Sequence, residues 1–352
     1  MAPLNFVIYA AIATLTFYLL IVGKALLLPF VVAIVFWYLI ATLAGFYGRV
    51  GTWGVRMPGW LATVFAVLTF VAMLSALIDL TSNNVSQVVA VAPTYQANLE
   101  GLADRLVALT GYHIPTVEQI ASQIDLGRTA GTIASSLTAF AGNVGIILVY
   151  VLFLLFEQQS FATKLDAIVT DPAKREKVRA TLRRINTDVR TYIWVKAILS
   201  VATGGISYIV MRSVGLDFAA FWAVVIFLLN FIPTIGSILG IIFPTVLALV
   251  QFPDSLTPFL IVFICLGATQ VITGNVVEPR LMGRSLNLSP LVIILSLAVW
   301  GSIWGVIGMF LSVPITLIAM IVMAQFRTTR PLAIMLSSDG VVSGDPAIAR
   351  ED

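Results

Sequence analysis

A short polar cluster interrupts the apolar second half of the chain at residues 273–285, which read Thr-Gly-Asn-Val-Val-Glu-Pro-Arg-Leu-Met-Gly-Arg-Ser. Glu278 is the carboxylate of this cluster, and Arg280 or Arg284 could pair with it. Ionisable groups among membrane segments are costly to bury and commonly serve in coupling or gating. A static ion pair that holds a loop is the alternative interpretation. The candidates for coupling or gating are Asn275, Glu278, Arg280 and Arg284.

A second set of polar groups lies at a break in an apolar run. Residues 216–252 are nearly free of charge, and Pro233, Gly236 and Gly240 interrupt their middle. One helical crossing of a bilayer needs about 20 residues, so two short helices that meet at a broken centre fit this run better than two full crossings with a turn. A broken helix frees N–H and C=O groups that lipid cannot satisfy, and these groups must face protein or a water-filled cavity.

The same pattern returns further along the chain. Gly236-Ser-Ile-Leu-Gly-Ile-Ile is echoed by Gly301-Ser-Ile-Trp-Gly-Val-Ile, at an offset of 65 residues, and a proline follows each copy. Two Gly/Pro-interrupted segments at corresponding places in two halves of a chain indicate a transporter binding site. Close helix packing at the glycines and structural hydrogen bonds from the hydroxyls are the alternative. The candidate substrate-binding residues are Asn230, Pro233, Thr234, Gly236, Ser237, Gly301 and Ser302.

Composition sets the class of protein that must position these groups. The chain has 352 residues, of which 59% are hydrophobic and 11% charged. Soluble domains carry about 25% charged residues, so we expect an all-α polytopic membrane protein. The basic residues cluster at the edges of apolar segments, which indicates lipid and not nucleic acid as the partner of the net charge of +3. A single cysteine, Cys265, excludes a disulfide framework, and motifs of metalloproteases, P-loop proteins and α/β-hydrolases are absent, so we expect neither an enzyme nor a cofactor.

Hydropathy predicts about eight membrane segments, including broken or re-entrant hairpins that could form an inverted repeat, and a helical extramembrane insert. The predicted divisions are membrane helices one to three at 1–80, an extracytoplasmic insert at 81–136, a fourth helix at 137–156, a basic cytoplasmic helix at 157–190, a first transport repeat at 191–252, a second at 253–326 and a cytoplasmic tail at 327–352.

The charge pattern adds orientation. Lys and Arg crowd residues 157–190, so this segment and both termini are expected in the cytoplasm. Asp171 followed by Pro172 predicts the start of a basic helix that could run on into the next span. Lys196 is expected to extend its ammonium to the membrane interface, and a role in coupling is the alternative. Residues 274–290 are expected to form a polar loop, and the polar tail at 337–352 is expected to be disordered.

Three stretches resemble the signatures of the AI-2E transporter family. They are Asn-Phe-Ile-Pro-Thr-Ile-Gly at 230–236, Gly-Asn-Val-Val-Glu-Pro-Arg-Leu-Met-Gly-Arg-Ser-Leu-Asn-Leu-Ser-Pro at 274–290 and Trp-Gly-Ser-Ile-Trp-Gly-Val-Ile-Gly-Met-Phe-Leu-Ser-Val-Pro at 300–314. The resemblance implies a bacterial inner-membrane exporter of the quorum-sensing signal autoinducer-2, driven by an H⁺ or Na⁺ gradient. It also implies a homo-oligomer, expected to be a pentamer with an elevator-like moving part. Thr234 stands where many relatives carry an aromatic residue, so the substrate does not transfer directly.

Three functions therefore stay open at the level of sequence. The first is a secondary-active exporter of a small polar molecule, with alternating access around a site at the hairpin tips. The second is a sodium/proton antiporter, which is weakened by the shortage of carboxylates at membrane depth. The third is a passive channel or an oligomeric membrane scaffold.

Overall fold

The computed structural model describes residues 2–49, 57–110, 126–283 and 287–342, and within these ranges the chain forms helices and no β-strand. The helices are α1 (Ala2–Val22), α2 (Lys24–Arg49), α3 (Gly59–Thr110), α4 (Leu126–Ile168), α5 (Pro172–Val214), α6 (Ala219–Leu229), α7 (Ile235–Gln251), α8 (Leu256–Ile272), α9 (Glu278–Met282), α10 (Pro290–Met323) and α11 (Arg330–Leu336). A π-helical turn, Thr273–Val277, joins α8 to α9.

Several of these helices have the length and apolar character of membrane spans. In the described part of the chain, five helices are long and apolar enough to cross a membrane. A bent pair of helical segments within α4 would be a sixth span. The five are Lys24–Arg49, Gly59–Leu80, Pro172–Val214, Leu256–Met282 and Pro290–Met323. Large apolar side chains such as Val201 and Ile264 are exposed on these spans, as expected where lipid is the solvent. The chain is thus an all-α, multi-pass membrane protein, and the predicted fold class is confirmed.

Helix α5 begins as its sequence predicts. The carboxylate of Asp171 accepts hydrogen bonds from the backbone N–H groups of Ala173 and Lys174, at 2.9 and 3.4 Å, so it caps the first turn. The helix then continues without interruption to Val214, which confirms that the basic segment runs on into the apolar span. Its second half carries the polar groups that matter for the site.

The helices form two compact units. Unit 1 comprises 1–63, 145–194 and 282–352, and unit 2 comprises 64–144 and 195–281. Each unit contains one of the two apolar regions expected to be broken. The domain boundaries drawn from the sequence stay a prediction.

In unit 2, α6 and α7 form the hairpin that we call hairpin one (219–251), and five irregular residues, 230–234, separate the two helices. Gly236 permits the sharp reversal, because a Cβ added there would lie 1.7 Å from the carbonyl oxygen of Leu229. The two ends of the hairpin are held by the extension of α3 beyond the membrane span. Tyr95 donates a hydrogen bond to Asp217 at 2.6 Å, and Asn98 donates to the carbonyl of Val250 at 3.0 Å.

Burial and the bond to Asp217 raise the pKa of the Tyr95 hydroxyl, so the phenol stays protonated and remains the donor. This contact belongs to residues 81–110, which were expected to start an extracytoplasmic insert and which continue α3 as one helix. The predicted second helix of the insert, opened at 116–119, lies outside the described residues.

In unit 1, α10 contains the second break. Gly305 has φ 65° and ψ −144°, a conformation that is essentially restricted to glycine, and the helix reverses there to form hairpin two (290–323). A Cβ on Gly308 would lie 1.9 Å from the carbonyl oxygen of Trp300, so glycine is again required where the two arms touch. Trp304 donates its indole N–H to the carbonyl of Leu20 at 3.0 Å, which ties the tip to α1.

The predicted disordered tail is partly wrong, because residues 337–342 fold back onto the start of hairpin two. The amide of Asn287 donates to Asp339 and to the carbonyl of Val341, both at 2.7 Å. Its amide oxygen accepts from the backbone N–H of Ser338 at 3.1 Å. Val342 is buried, so apolar packing adds to these hydrogen bonds. Residues 343–352 lie outside the described part of the chain.

Candidate functional site

A cavity of about 400 Å³ lies in unit 2, at the break of hairpin one. Its wall combines the broken backbone with polar side chains from α5, α7 and the α8–α9 region. The lining residues are Lys196, Asn230, Ile232, Pro233, Thr234, Ser237, Ile238, Ile241, Gln270, Val271, Gly274, Asn275 and Glu278. Ligand pockets of proteins commonly have volumes of about 300–1,000 Å³, so a small polar molecule could be accommodated.

The break itself is strained. Thr234 has φ 62° and ψ −61°, and the N–H of Ile235 donates to the carbonyl of Pro233 at 2.6 Å. This combination is a γ-turn centred on Thr234, a rare and strained conformation that β-branched residues seldom adopt. Such strain is of order 1–3 kcal/mol and persists where the surrounding structure enforces it, which is often at ligand sites. The turn exposes the Thr234 side chain at the cavity wall.

Lys196 and Glu278 form an ion pair in this cavity. The Lys196 Nζ lies 2.6 Å from Glu278 Oε1, with the lysine side chain 4% exposed and the glutamate side chain 22% exposed. The attraction between two buried charges offsets their loss of hydration only when the geometry of the pair is good and further hydrogen bonds satisfy both groups. Lys196 Nζ also donates to the backbone carbonyl of Asn230, at 3.3 Å, where α6 ends. The ammonium therefore joins a carboxylate to the broken backbone.

This pairing corrects two expectations. Lys196 does not extend to the interface, because it lies in the middle of a continuous α5 and its side chain is buried. Residues 274–282 do not form a loop, because the helix continues through the π-helical turn to Met282. The π-helical turn immediately precedes Glu278, and insertions of this kind are frequent at functional sites. Glu278 is thereby part of a helix that faces α5, and its partner is Lys196 and not Arg280.

A buried polar stripe on α5 leads away from the ion pair. Lys196, Ser200, Thr203 and Ser207 recur at spacings of 4, 3 and 4 residues, and all four are buried. Ser200 Oγ accepts from Asn230 Nδ2 at 3.1 Å, and Thr203 Oγ1 lies 3.5 Å from Thr273 Oγ1. A helical stripe of polar residues in an apolar span is the signal that could have identified Lys196 from the sequence.

The structure places the predicted site residues in different surroundings. Six of them line the cavity, namely Asn230, Pro233, Thr234, Ser237, Asn275 and Glu278. Gly236 is buried against the Leu229 backbone and serves the reversal of the hairpin. Arg280 is exposed, and Arg284 lies outside the described residues. Gly301 and Ser302 belong to unit 1, where the Ser302 hydroxyl donates to the carbonyl of Val299 at 2.7 Å.

The second glycine motif does not repeat the geometry of the first. Gly236 opens α7 after the break, whereas Gly301 precedes the break at Gly305. The residue that matches Gly236 in its role is Gly308, since both lie against a carbonyl oxygen of the opposite arm. The sequence echo thus marks two hairpins without aligning them residue by residue.

A broken helical hairpin with a polar cavity and a buried ion pair, in a multi-pass all-α protein, is the construction of a membrane transporter. A family model described as the AI-2E family transporter matches residues 6–328. The chain belongs to the AI-2E transporter family, and the resemblance seen in its sequence motifs is confirmed.

Named relatives agree with this assignment. The AI-2 transport protein TqsA of Escherichia coli is 29% identical over 289 residues, which cover 80% of this chain and 82% of that protein. A Haemophilus influenzae protein that carries the general name of a transport protein is 31% identical over 295 residues, covering 80% and 82%. A Borreliella burgdorferi protein that carries the same general name is 31% identical over 218 residues, or 62% of this chain and 60% of that protein. These similarities support a role in membrane transport.

Proposed function

We propose that this protein is a secondary-active transporter that exports a small polar molecule of the autoinducer-2 type across the bacterial inner membrane, with both termini in the cytoplasm. The observation that carries the proposal is the cavity at the break of hairpin one, where strained backbone, hydroxyls and a buried ion pair meet. TqsA, which is named for AI-2 transport, supports the class of substrate.

The chemistry of the wall suits a hydroxylated ligand. Thr234 and Ser237 offer hydroxyls, Asn230 and Gln270 offer amides, and Lys196 offers a charged donor. Apolar Ile232, Ile238 and Ile241 line the same space, so a compact molecule with one polar and one less polar side would find partners on both. We propose an alternating-access cycle in which one body carries the site, because all lining residues belong to unit 2.

Uptake into everted vesicles tests this function. Vesicles that contain the protein should accumulate labelled autoinducer-2 while a proton or sodium gradient is imposed, and uptake should fall when an ionophore collapses that gradient. Ser237→Ala should raise the KM by about three- to tenfold, the equivalent of one lost hydrogen bond to the substrate. Lys177→Met, an exposed change on the same helix as Lys196, is the matched control. Uptake that survives collapse of both gradients would exclude secondary coupling.

A second candidate is a sodium/proton antiporter. The sequence argued against it, because carboxylates at membrane depth are scarce. The specific observation in its favour is that Glu278 lies within the Leu256–Met282 helix and pairs with a buried lysine. In vesicles that hold a pH gradient, added sodium should then release protons without any organic substrate. The absence of such release leaves the exporter as the proposal, and single-channel currents would favour a passive channel.

A further inference from the structure

In an inference that rests on the proposed function, we infer that the Lys196 ammonium occupies a binding site for a monovalent cation, which we call the seat. The Glu278 carboxylate and the Asn230 carbonyl form the seat, and a transported cation exchanges there with the ammonium. Both ligands are oxygen atoms, which can coordinate a sodium ion as well as accept hydrogen bonds from an ammonium group. Glu278 Oε1 lies 2.6 Å and the Asn230 carbonyl oxygen 3.3 Å from the Nζ.

The break in the helix creates one of these ligands. Asn230 ends α6, and its carbonyl oxygen is directed at Lys196. Its side-chain amide is held by Ser200, which fixes the orientation of the residue. Unwound carbonyls of broken helices are suited to coordinating Na⁺, because they carry partial negative charge and cannot be satisfied by lipid.

The charge of the site selects a monovalent ion. Without the ammonium, the seat carries the single negative charge of Glu278. Divalent ions such as Ca²⁺ take six to eight oxygen ligands, commonly with several carboxylates. Within the described residues, no group of three or more Asp, Glu, His or Cys side chains lies close enough to hold a metal ion. The carboxylate of Glu278 with the carbonyl of Asn230 balances one positive charge, so the seat holds either the lysine ammonium or one sodium ion, and not both.

The surroundings of Lys196 determine where its ammonium goes on exchange. The side chain, which projects from α5, is 4% exposed and lines the cavity. The open direction is therefore the cavity, toward Thr234 and Ser237. A displaced ammonium would fill space that a substrate needs, so a cation in the seat and a ligand in the cavity would exclude one another. Mutual exclusion is the property that exchange of an exported molecule for an entering cation requires.

The experiment measures the seat without transport. The purified full-length protein in detergent is unfolded thermally in sodium chloride and in choline chloride at equal ionic strength. Lys196→Met empties the seat, so the sodium-dependent rise in its unfolding temperature should be saturable and at least threefold larger than that of the unaltered protein. Lys196→Met/Glu278→Gln lacks the carboxylate and should show no sodium-dependent rise. Lys177→Met, an exposed lysine of the same helix, should behave like the unaltered protein.

Equal sodium responses in Lys196→Met and in the double variant would overturn the inference, and so would equal responses in Lys196→Met and the unaltered protein. If Lys196→Met is not recovered folded, Lys196→Gln replaces it. Recovery of either variant in sodium but not in choline supports the seat, and failure of both in both salts overturns it. A sodium response without gradient-driven uptake in vesicles would leave the seat standing and refute the proposed export, whereas uptake without the response would do the reverse.

Discussion

Hairpin one and hairpin two use the same packing device and differ at their tips. In each hairpin a glycine, Gly236 or Gly308, lets the opposite arm approach to a distance that no Cβ would allow. At the tip of hairpin one, five irregular residues include a strained threonine and face a cavity with an ion pair. At the tip of hairpin two, one glycine makes the turn and a buried tryptophan anchors it to α1.

The two tips differ in how much backbone strain and buried charge accompany the break of the helix. In hairpin two a single glycine, Gly305, makes the reversal, and the indole N–H of Trp304 donates to a backbone carbonyl. Hairpin one keeps a β-branched residue at positive φ and directs a backbone carbonyl at a buried ammonium. Strain and buried charge of this kind indicate function, whereas the geometry of hairpin two is what packing alone requires.

The largest expected effect comes from removing one charge beside hairpin one. Glu278→Met leaves the buried Lys196 ammonium without its carboxylate and should lower the free energy of unfolding by about 3–5 kcal/mol. Lys196→Met/Glu278→Met removes both charges and should recover most of that loss. Thermal unfolding in choline chloride checks this. A double variant as unstable as the single one would show that the pair is not what stabilises the site.

The next effect should be shared by the two hairpins. Gly236→Ala and Gly308→Ala each place a Cβ within 2 Å of a backbone oxygen, so each should cost about 3 kcal/mol and reduce the yield of folded protein. Gly267→Ala, where a Cβ would meet no atom within 4 Å, is the matched control and should stabilise α8 by up to about 1 kcal/mol. If only one hairpin were sensitive, the common packing device would be wrong.

The tips should respond with opposite signs. Gly305→Ala forces a side chain into a glycine-only conformation and should cost about 2 kcal/mol. Thr234→Gly relieves the γ-turn and should be stabilising by about 1 kcal/mol, after the entropy that glycine adds to the unfolded chain. Unfolding midpoints of the two purified variants decide the matter, and a destabilised Thr234→Gly would mean that the turn holds no strain.

The smallest expected effect concerns the anchor of hairpin two. Trp304→Phe removes the hydrogen bond to Leu20 and should cost about 1 kcal/mol, with no change in the KM for uptake. Trp300→Phe leaves that bond intact and serves as the control. An altered KM in Trp304→Phe would place hairpin two closer to the substrate than the comparison of the tips suggests.

Local signals in the sequence predicted the fold and the breaks. Hydropathy identified the spans, Asp171 with Pro172 marked the start of α5, and Pro233 with Gly236 marked the break of hairpin one. Each of these signals depends on residues that are neighbours along the chain, so a sequence window contains the necessary information.

The ion pair joins residues that are far apart in the chain, so no sequence window contains both partners. Lys196 and Glu278 lie on different helices, and the nearer arginines at 280 and 284 looked like better partners for Glu278. The π-helical turn, which continues α8 into α9 and sets Glu278 on a helix, has no clear sequence signature. The repeated glycine motif likewise predicts equivalent positions in the two hairpins, whereas the reversal in hairpin two falls at Gly305 and its close contact at Gly308.

The folded-back tail has a practical consequence for shortened forms of the protein. A chain that stops at Leu336 lacks Ser338, Asp339 and Val341, which are hydrogen-bond partners of Asn287. The segment that leads into α10 would then lose these hydrogen bonds. A chain that stops after Val342 would keep those partners. Purification tags and reporters should therefore tolerate attachment beyond residue 342 far better than attachment six residues earlier.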